Sequence, residues 1–449
     1  MWVINAERPP PAEPRALRRV LGPGLLAALV VGDILGAGIY ILVGEVAADV
    51  GGMVWLPFLL AFGLASLTAT SYVELVSAEP HAAGSAHYVD LAFGRPLLTF
   101  LVGYLVTASA VSTAAAVSRA VGGQYLGIFF EAPVAPVALV MVLALSTLTW
   151  VGVAESARAT ALMTVVEVVG LVLVITAGAV GVFGGSAEPA RLLDAGPTHA
   201  GASGVLAAAA LAFFAYLGFE DVVHLSEEVR DPRRAFPRAL LGGLAVVGVL
   251  YMGVTISVAV LVPPAQLAAS SAPLLEALEA GSLPVPDRVF ALIAIVAVTN
   301  TALLALTTAS RQIYGMATKG SIPAVLGRVG RRHTPTVAIV GVAVVVGVLV
   351  TTGGVRDLAD TTVALLLGVF TMVNVTVLVL RRRRRDDAPP HPRPFRAPTA
   401  LPVIGALGSA GLLVDTLIAG GLGLYIRLGV LFTLGLALYV LTRLRQRSR

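Results

Sequence analysis

The chain has 449 residues, 57% hydrophobic and only 13% charged, with a mean hydropathy of +0.89; ordinary soluble domains hold roughly 45–50% apolar and about 25% charged residues. A string of soluble domains is excluded, and the absence of cysteine removes disulfides and thiolate metal sites. The net charge of +5 would suit a nucleic-acid partner only if the basic residues formed a soluble basic face, and their placement along the chain gives them another role.

Residues 1–23, with Pro9, Pro10, Pro11, Arg15, Arg18 and Arg19 and no apolar core in the first 20 positions, are expected to be a retained cytoplasmic tail. Apolar windows then predict membrane spans at 24–46, 53–77, 97–121, 134–152, 158–183, 203–226, 237–262, 287–311, 335–353, 358–380, 399–420 and 423–442, each close to the ~20 residues that cross a bilayer. With the N-terminus inside, 26 of the 31 Lys and Arg fall in cytoplasmic segments, leaving Arg119, Arg191, Arg288, Arg356 and Arg427 outside. That bias is the positive-inside pattern. The run Arg381–Arg385 therefore reads first as an orientation signal and second as a lipid-headgroup contact. Asp386 to Pro398 belongs to a basic, proline-rich linker, and nucleic acid is not an expected partner.

The first span carries GDILGAGIYILVG, with Asp33 followed by Gly36, Ala37 and Gly38. Small residues allow close helix packing, but a carboxylate at that depth costs several kcal/mol unless it is paired or meets water. The sixth span is interrupted in the same way, Gly218 lying among aromatics and followed by Glu220 and Asp221. Broken helices at matching positions of two halves point to a transporter built from inverted repeats. Spans one and six are five apart, which predicts two five-span repeats with spans eleven and twelve appended.

The fifth span places Glu167 on one stripe with Thr160 and Thr164, at helical i, i+3 and i+4 spacing. The eighth carries Thr299, Asn300, Thr301, Thr307 and Thr308. Hydroxyls there suit interhelical hydrogen bonds, whereas a lone membrane carboxylate is a candidate proton carrier or cation ligand. Glu167, Thr299 and Asn300 are thus the coupling candidates. Glu227, Glu228 and Arg230, set among Asp231, Arg233, Arg234 and Arg238, suit surface ion pairs or a cytoplasmic gate, as does Glu74. Asp415 is expected only to make a buried pairing. Neither a histidine cluster with metal spacing nor a phosphate-binding loop is present, so no metal, cofactor or ATP-driven step is expected.

Four strings in order, GAGIYILVG (36–44), YVEL with PHAAGSAHY (72–88), FFAYLGFEDVVHLSEEVRDPRRAFPRAL (213–240) and TNTALLALTTASRQIYGMATKGSIP (299–323), resemble the amino acid permeases of the amino acid-polyamine-organocation superfamily. GEVA at 44–47 is similar to the cationic amino acid transporter branch. The resemblance implies that amides around Gly36, Ala37, Gly38 and Ile39 receive a substrate carboxylate, that carbonyls near Ala215, Tyr216 and Gly218 receive its amino group, and that Phe213 or Phe214 closes over it. Asp33, more polar than the small or hydroxyl residue common in the family, joins the substrate site as a partner for a cationic substrate group or a co-transported cation. Many members carry a lysine where this chain has Glu167, so their sodium-replacing lysine does not transfer.

The expected protein is an all-α integral membrane protein of about twelve transmembrane helices. It comprises an N-tail (1–23), a 5+5 inverted-repeat core with broken helices one and six (24–380), a cytoplasmic linker (381–398), spans eleven and twelve (399–442) and a cytoplasmic C-tail (443–449). It would be a secondary transporter of the cell membrane, not an enzyme, moving amino acids or amines by alternating access with a proton or sodium ion as coupling ion, or by exchange. A receptor or assembly subunit keeping the fold without transport, and a carrier of another small organic cation, are the other readings.

Overall fold

A computed structural model describes residues 22–80, 84–152, 157–195, 201–332, 334–383 and 395–447. Most of the N-tail, the centre of the basic linker and the last two residues lie outside them, as does the side chain of Arg158. Sixteen α-helices, short 3-10 turns and one π-helical turn at Val121–Tyr125 make up the described regular structure, which contains no strand. Ten helical stretches are long and apolar enough to cross a membrane. One of these, Pro23–Ala78, runs for 56 residues, enough for two crossings, and Thr336–Val350 is a further apolar helix of 15 residues. Dividing the first stretch and adding that helix recovers the twelve expected passages.

The first passage is two half-helices, α1 (Pro23–Leu35) and α2 (Gly38–Val50), parted at Gly36–Ala37. After it come α3 (Trp55–Ala78), the short α4 (Gly84–Phe93), α5 (Pro96–Ala120), α6 (Val134–Val151) and α7 (Ala157–Gly184). The sixth passage begins as α8 (Ala202–Phe213), tightens into a 3-10 turn at Phe214–Tyr216, and continues beyond Gly218 as a 3-10 segment, Asp221–Glu228. Then follow α9 (Pro232–Leu261), the short α10 (Pro264–Ala269) and α11 (Pro273–Ala280), α12 (Asp287–Thr318), α13 (Thr336–Val350), α14 (Val355–Arg383), α15 (Ala400–Ala419) and α16 (Leu422–Arg447). α1 packs on α7 and α9, α2 on α8, α12 on α5 and α7, and α14 on α5 and α15. The two interrupted passages therefore sit inside the bundle, with the unbroken ones around them.

Close backbone approach and polar anchors hold that centre together. Gly170 of α7 leaves room for the Tyr40 ring, whose hydroxyl donates to the Glu167 carbonyl at 2.6 Å. Tyr125 donates to the Tyr40 carbonyl at 2.7 Å, and Gln124 to that of Ile41 at 3.0 Å. The buried amide of Asn374 accepts from Ser71 at 2.7 Å and donates to the Phe370 carbonyl at 2.9 Å, joining α14 to α3. These are bonds that an unsatisfied polar group in lipid would otherwise lack.

Charged residues divide by location. Four of the five arginines expected outside are tied to structure: Arg119 donates to the Val350 carbonyl at 2.7 Å, Arg191 to Leu261 at 3.0 Å, Arg356 pairs with Asp49 at 2.5 Å, and Arg427, 4% exposed, donates to Thr361 at 2.9 Å. Arg288 is exposed. Glu74, expected in a surface ion pair or a cytoplasmic gate, does form an ion pair, with Arg381 of the basic run, but a mostly buried one. They form a two-pronged pair at 2.7 and 2.5 Å, closed by the Ala397 amide on Glu74 at 2.8 Å. Arg381 comes from the last turn of α14, so helix register turns it inward. The pairing expected for Asp415 is not found among the described residues, where its Oδ2 is buried without a hydrogen-bond partner.

Removing one partner of a mostly buried, hydrogen-bonded ion pair costs about 3–5 kcal/mol. Glu74→Gln is therefore expected to lower the unfolding temperature of the detergent-solubilised protein sharply, and the double change Glu74→Gln with Arg381→Gln to lower it less. A double-variant loss equal to the sum of the losses in Glu74→Gln and Arg381→Gln alone would show that the pair is not coupled.

Candidate functional site

The two helix breaks lie against each other, backbone on backbone. A Cβ on Gly38 would collide with the Ala215 Cα and come within 2.7 Å of its Cβ. Reciprocally, a Cβ on Gly218 would stand 2.5 Å from the Asp33 carbonyl oxygen and 2.8 Å from its carbon. Gly218 also holds φ +118°, a conformation closed to L side chains without strain. Gly36, at φ +25°, makes the turn that separates α1 from α2. The glycines inside the two apolar runs are thus contact points between the breaks as well as helix breakers.

Breaking a helix frees amides and carbonyls that lipid cannot satisfy. The Ala37 amide donates to the Thr301 hydroxyl of α12 at 2.8 Å, and the Gly218 amide to the Glu220 carboxylate at 2.9 Å. The Tyr251 hydroxyl of α9 lies 3.0 Å from the Ile34 carbonyl, 2.5 Å from that of Leu35 and 3.1 Å from that of Ala215. Around these groups is a cavity of about 60 Å³ lined by Asp33, Gly36, Ala37, Gly38, Phe214, Ala215 and Gly218. Its opposite wall is the α5 stripe Val106, Ser109, Ala110 and Thr113. Asp33 and Asp221 also line a second cavity of about 1090 Å³ that extends past Glu228 to Arg311, Lys319 and Arg443.

Seven of the ten expected substrate residues therefore meet at one cavity. Ile39 is buried just inside α2 and does not line it. Phe213 turns away, its ring edge-on to Phe370 at 5.8 Å, which leaves Phe214 as the aromatic facing the cavity. Tyr216 belongs to an aromatic group with Tyr251 at 5.1 Å and Phe62 at 5.9 Å. Of the coupling candidates, Asn300 donates to Glu167 Oε1 at 2.9 Å, while Oε2 is buried without a partner. Thr299, one position away and half-buried, is not joined to that pair. Of the gate candidates, Glu228 lines the large cavity, Glu227 is half-buried beside it, and Arg230 is exposed.

Sequence reasoning noted Thr301 only as one hydroxyl in a polar stripe and missed Tyr251. The available signals were a threonine next to Asn300, and a tyrosine inside an otherwise apolar span, where its hydroxyl needs a partner.

The profile of the amino acid permease family matches residues 22–427, which takes in both breaks and every residue that lines the small cavity between them. The chain belongs to the amino acid permease family. The permease is 28% identical over 448 residues to the branched-chain amino acid permease BcaP of Bacillus subtilis, covering 95% of this chain and 93% of that one. It is 30% identical over 392 residues to the vacuolar cationic amino acid transporter 2 of Arabidopsis thaliana, covering 83% of this chain and 61% of the relative. An uncharacterized transporter of Mycobacterium bovis is 31% identical over 399 residues, at 88% and 86% coverage. The chain thus spans about three-fifths of that plant relative and nearly the whole of the bacterial ones. With its many apolar helices, the permease is a multi-pass membrane transporter of amino acids.

Gly218→Ala in this permease forces a strained φ, worth about 1–3 kcal/mol, and a collision with the Asp33 carbonyl. Amino acid uptake by the variant is expected to fall to background with a reduced unfolding temperature. Gly242→Ala, at an α9 position with open space around it, should be neutral or stabilising by up to about 1 kcal/mol. Normal uptake by Gly218→Ala would show that the two breaks are not packed as described.

Proposed function

We propose that the permease is a secondary transporter that takes an amino acid into the cavity between its two broken helices and moves it by alternating access, with protons coupled through Glu167. The observation that carries this reading is the continuity of one polar path. Glu167 on α7 is bonded by Asn300 on α12, and the next residue on α12, Thr301, holds the Ala37 amide inside the first break. A charge on a fully enclosed carboxylate with one hydrogen-bond donor is expensive, so loss of a proton from Glu167 presses on Asn300 and, through the same helical turn, on the break. Substrate binding at the break presses back along the same route, as reciprocity requires.

The N-terminal turn of α2 has no side-chain cap of its own and suits a substrate carboxylate by its amides and dipole. The amine faces the carbonyl side of the breaks, where Asp33 and Ala215 line the cavity. In this reading the structure is open toward the cytoplasm, since the large cavity leads to Arg311, Lys319 and Arg443, all expected inside by the positive-inside rule. Both termini then lie in the cytoplasm, the cell membrane is the site of action, and spans one to ten form two inverted repeats. The names of relatives include branched-chain and cationic amino acid carriers, so both classes belong in a first substrate screen.

Uptake of labelled amino acids into proteoliposomes tests this reading. An inward proton gradient should raise accumulation several-fold over the no-gradient control. Glu167→Gln should abolish that stimulation while leaving counterflow exchange within about tenfold of the parent, a loss of less than ~1.4 kcal/mol. A gradient that changes neither rate nor accumulation removes proton coupling and leaves exchange; gradient stimulation that persists in Glu167→Gln removes Glu167 from the mechanism.

A further inference from the structure

We infer that Gln124 and Tyr125 are positioning residues: a π-helical turn at the end of α5 sets their side chains on the first turn of α2 and so holds the amides that meet the substrate carboxylate. The inference rests on the reading of that first turn as the carboxylate site. After Ala120 the chain widens into the turn Val121–Tyr125, closed by the Leu126 amide on the Val121 carbonyl, five residues back. Such turns are rare and gather at functional sites. Gly122 seats this one against α6, where a Cβ would stand 3.0 Å from the Val134 carbonyl.

Two neighbouring side chains of the turn reach two neighbouring carbonyls of α2. Tyr125 donates to that of Tyr40 at 2.7 Å and Gln124 to that of Ile41 at 3.0 Å. Inside a helix each of those carbonyls already receives the amide four residues on, so neither bond is needed to satisfy broken backbone. Their effect is on position. The Tyr40 side chain extends the line to α7 through the Glu167 carbonyl at 2.6 Å, and the first turn of α2 is gripped from two sides.

That turn needs the grip. α2 opens on Gly38, directly after the break, and has no side-chain cap; an uncapped helix end that begins with glycine frays. A carboxylate received by frayed amides has to order them first and is bound more weakly for it. Gln124 also carries a penalty of its own, since its Oε1 is buried without a partner, which an apolar residue at the same place would avoid. A rare turn and a costly side chain that both serve one helical turn of α2 are the local violations expected at a functional site rather than in ordinary packing.

The experiment measures uptake of labelled L-leucine and L-arginine into proteoliposomes, competed by the same amino acids and by leucinamide and argininamide, which keep the amine and side chain but lack the carboxylate charge. The parent should bind at least one of the amino acids about tenfold or more tighter than its amide, as charge-assisted hydrogen bonds imply. Tyr125→Phe and Gln124→Leu should each weaken the amino acid about fivefold, the worth of one neutral hydrogen bond, and leave the amide within about twofold, so the preference for the carboxylate shrinks. The double variant should lose more than either. A merely structural defect weakens both competitors alike; equal weakening, or an unchanged ratio in variants that thermal unfolding shows to be folded, overturns the inference. Should Tyr125→Phe yield no folded protein, Gln124→Leu, at a half-buried position, decides by the same ratio. A parent that takes up neither amino acid, or binds acid and amide alike, overturns the carboxylate reading and this inference with it, whereas a discriminating parent beside variants that discriminate equally well overturns the inference alone.

Discussion

Two interrupted helices pressed together inside a membrane create the constraint that organises this protein. Each interruption releases backbone N–H and C=O groups into surroundings with no water to pair them, at a cost of several kcal/mol per group. Gly38 on Ala215 and Gly218 on Asp33 bring the two sets of released groups together. Three side chains then deal with two of the amides and three of the carbonyls: Thr301 takes the Ala37 amide, Glu220 the Gly218 amide and Tyr251 the carbonyls of Ile34, Leu35 and Ala215. Because Thr301 and Tyr251 come from α12 and α9, those two long helices have to be beside the breaks. The packing of the bundle follows from who must reach the broken backbone.

The same constraint separates what was legible in the sequence from what was not. The breaks could be read because glycines and carboxylates inside apolar runs contradict the local preference for a continuous buried helix, and a contradiction of that kind marks a site. Their mutual contact could not, since nothing in one string of residues says which glycine meets which carbonyl. Helical rotation decided the finer assignments. Phe213 and Phe214 differ by one residue, about 100° around the helix axis, and that turns one toward Phe370 and the other into the cavity. The same rotation joins Asn300 to Glu167 and sends Thr301 to the break, while Thr299 reaches neither. Arg381 was hidden for a related reason: in a run of five arginines, composition reports sidedness, and only register and the return of the chain at Ala397 reveal a buried partner for Glu74.

Arginine placement adds a functional dimension to that topology. Where an arginine was expected away from the cytoplasm, the structure mostly uses it as a tie: Arg356 links the end of α2 to the start of α14 through Asp49, and Arg427 links α16 to α14 through Thr361 and Asp357. On the other face, Arg311 and Arg443 line the broad cavity that leads to Asp33. In the proposed transport cycle the face with the ties is the closed one, and the face with the cavity is the open one.

The proposed alternating access requires ties of the Arg356–Asp49 kind to be exchangeable, and the setting of that pair makes it so. Arg356 and Asp49 remain 35% and 22% exposed at the side chain, a setting in which solvent screening keeps an ion pair's worth small, typically under about 1 kcal/mol. The Glu74 and Arg381 side chains, 12% and 10% exposed, sit where breaking a pair is costly. A carrier needs both kinds of contact: strong pairs inside elements that keep their packing, and weak pairs between elements that must part. The half-helix α2 combines the two kinds: buried bonds at Tyr40 and Ile41 fix its middle, while an exchangeable ion pair joins its far end to α14 and one amide–hydroxyl bond joins its near end to α12. A substrate carboxylate that competes with Thr301 for the Ala37 amide would therefore act on the near end of α2, where a single bond couples the first break to α12 and, one residue away, to Asn300 and Glu167.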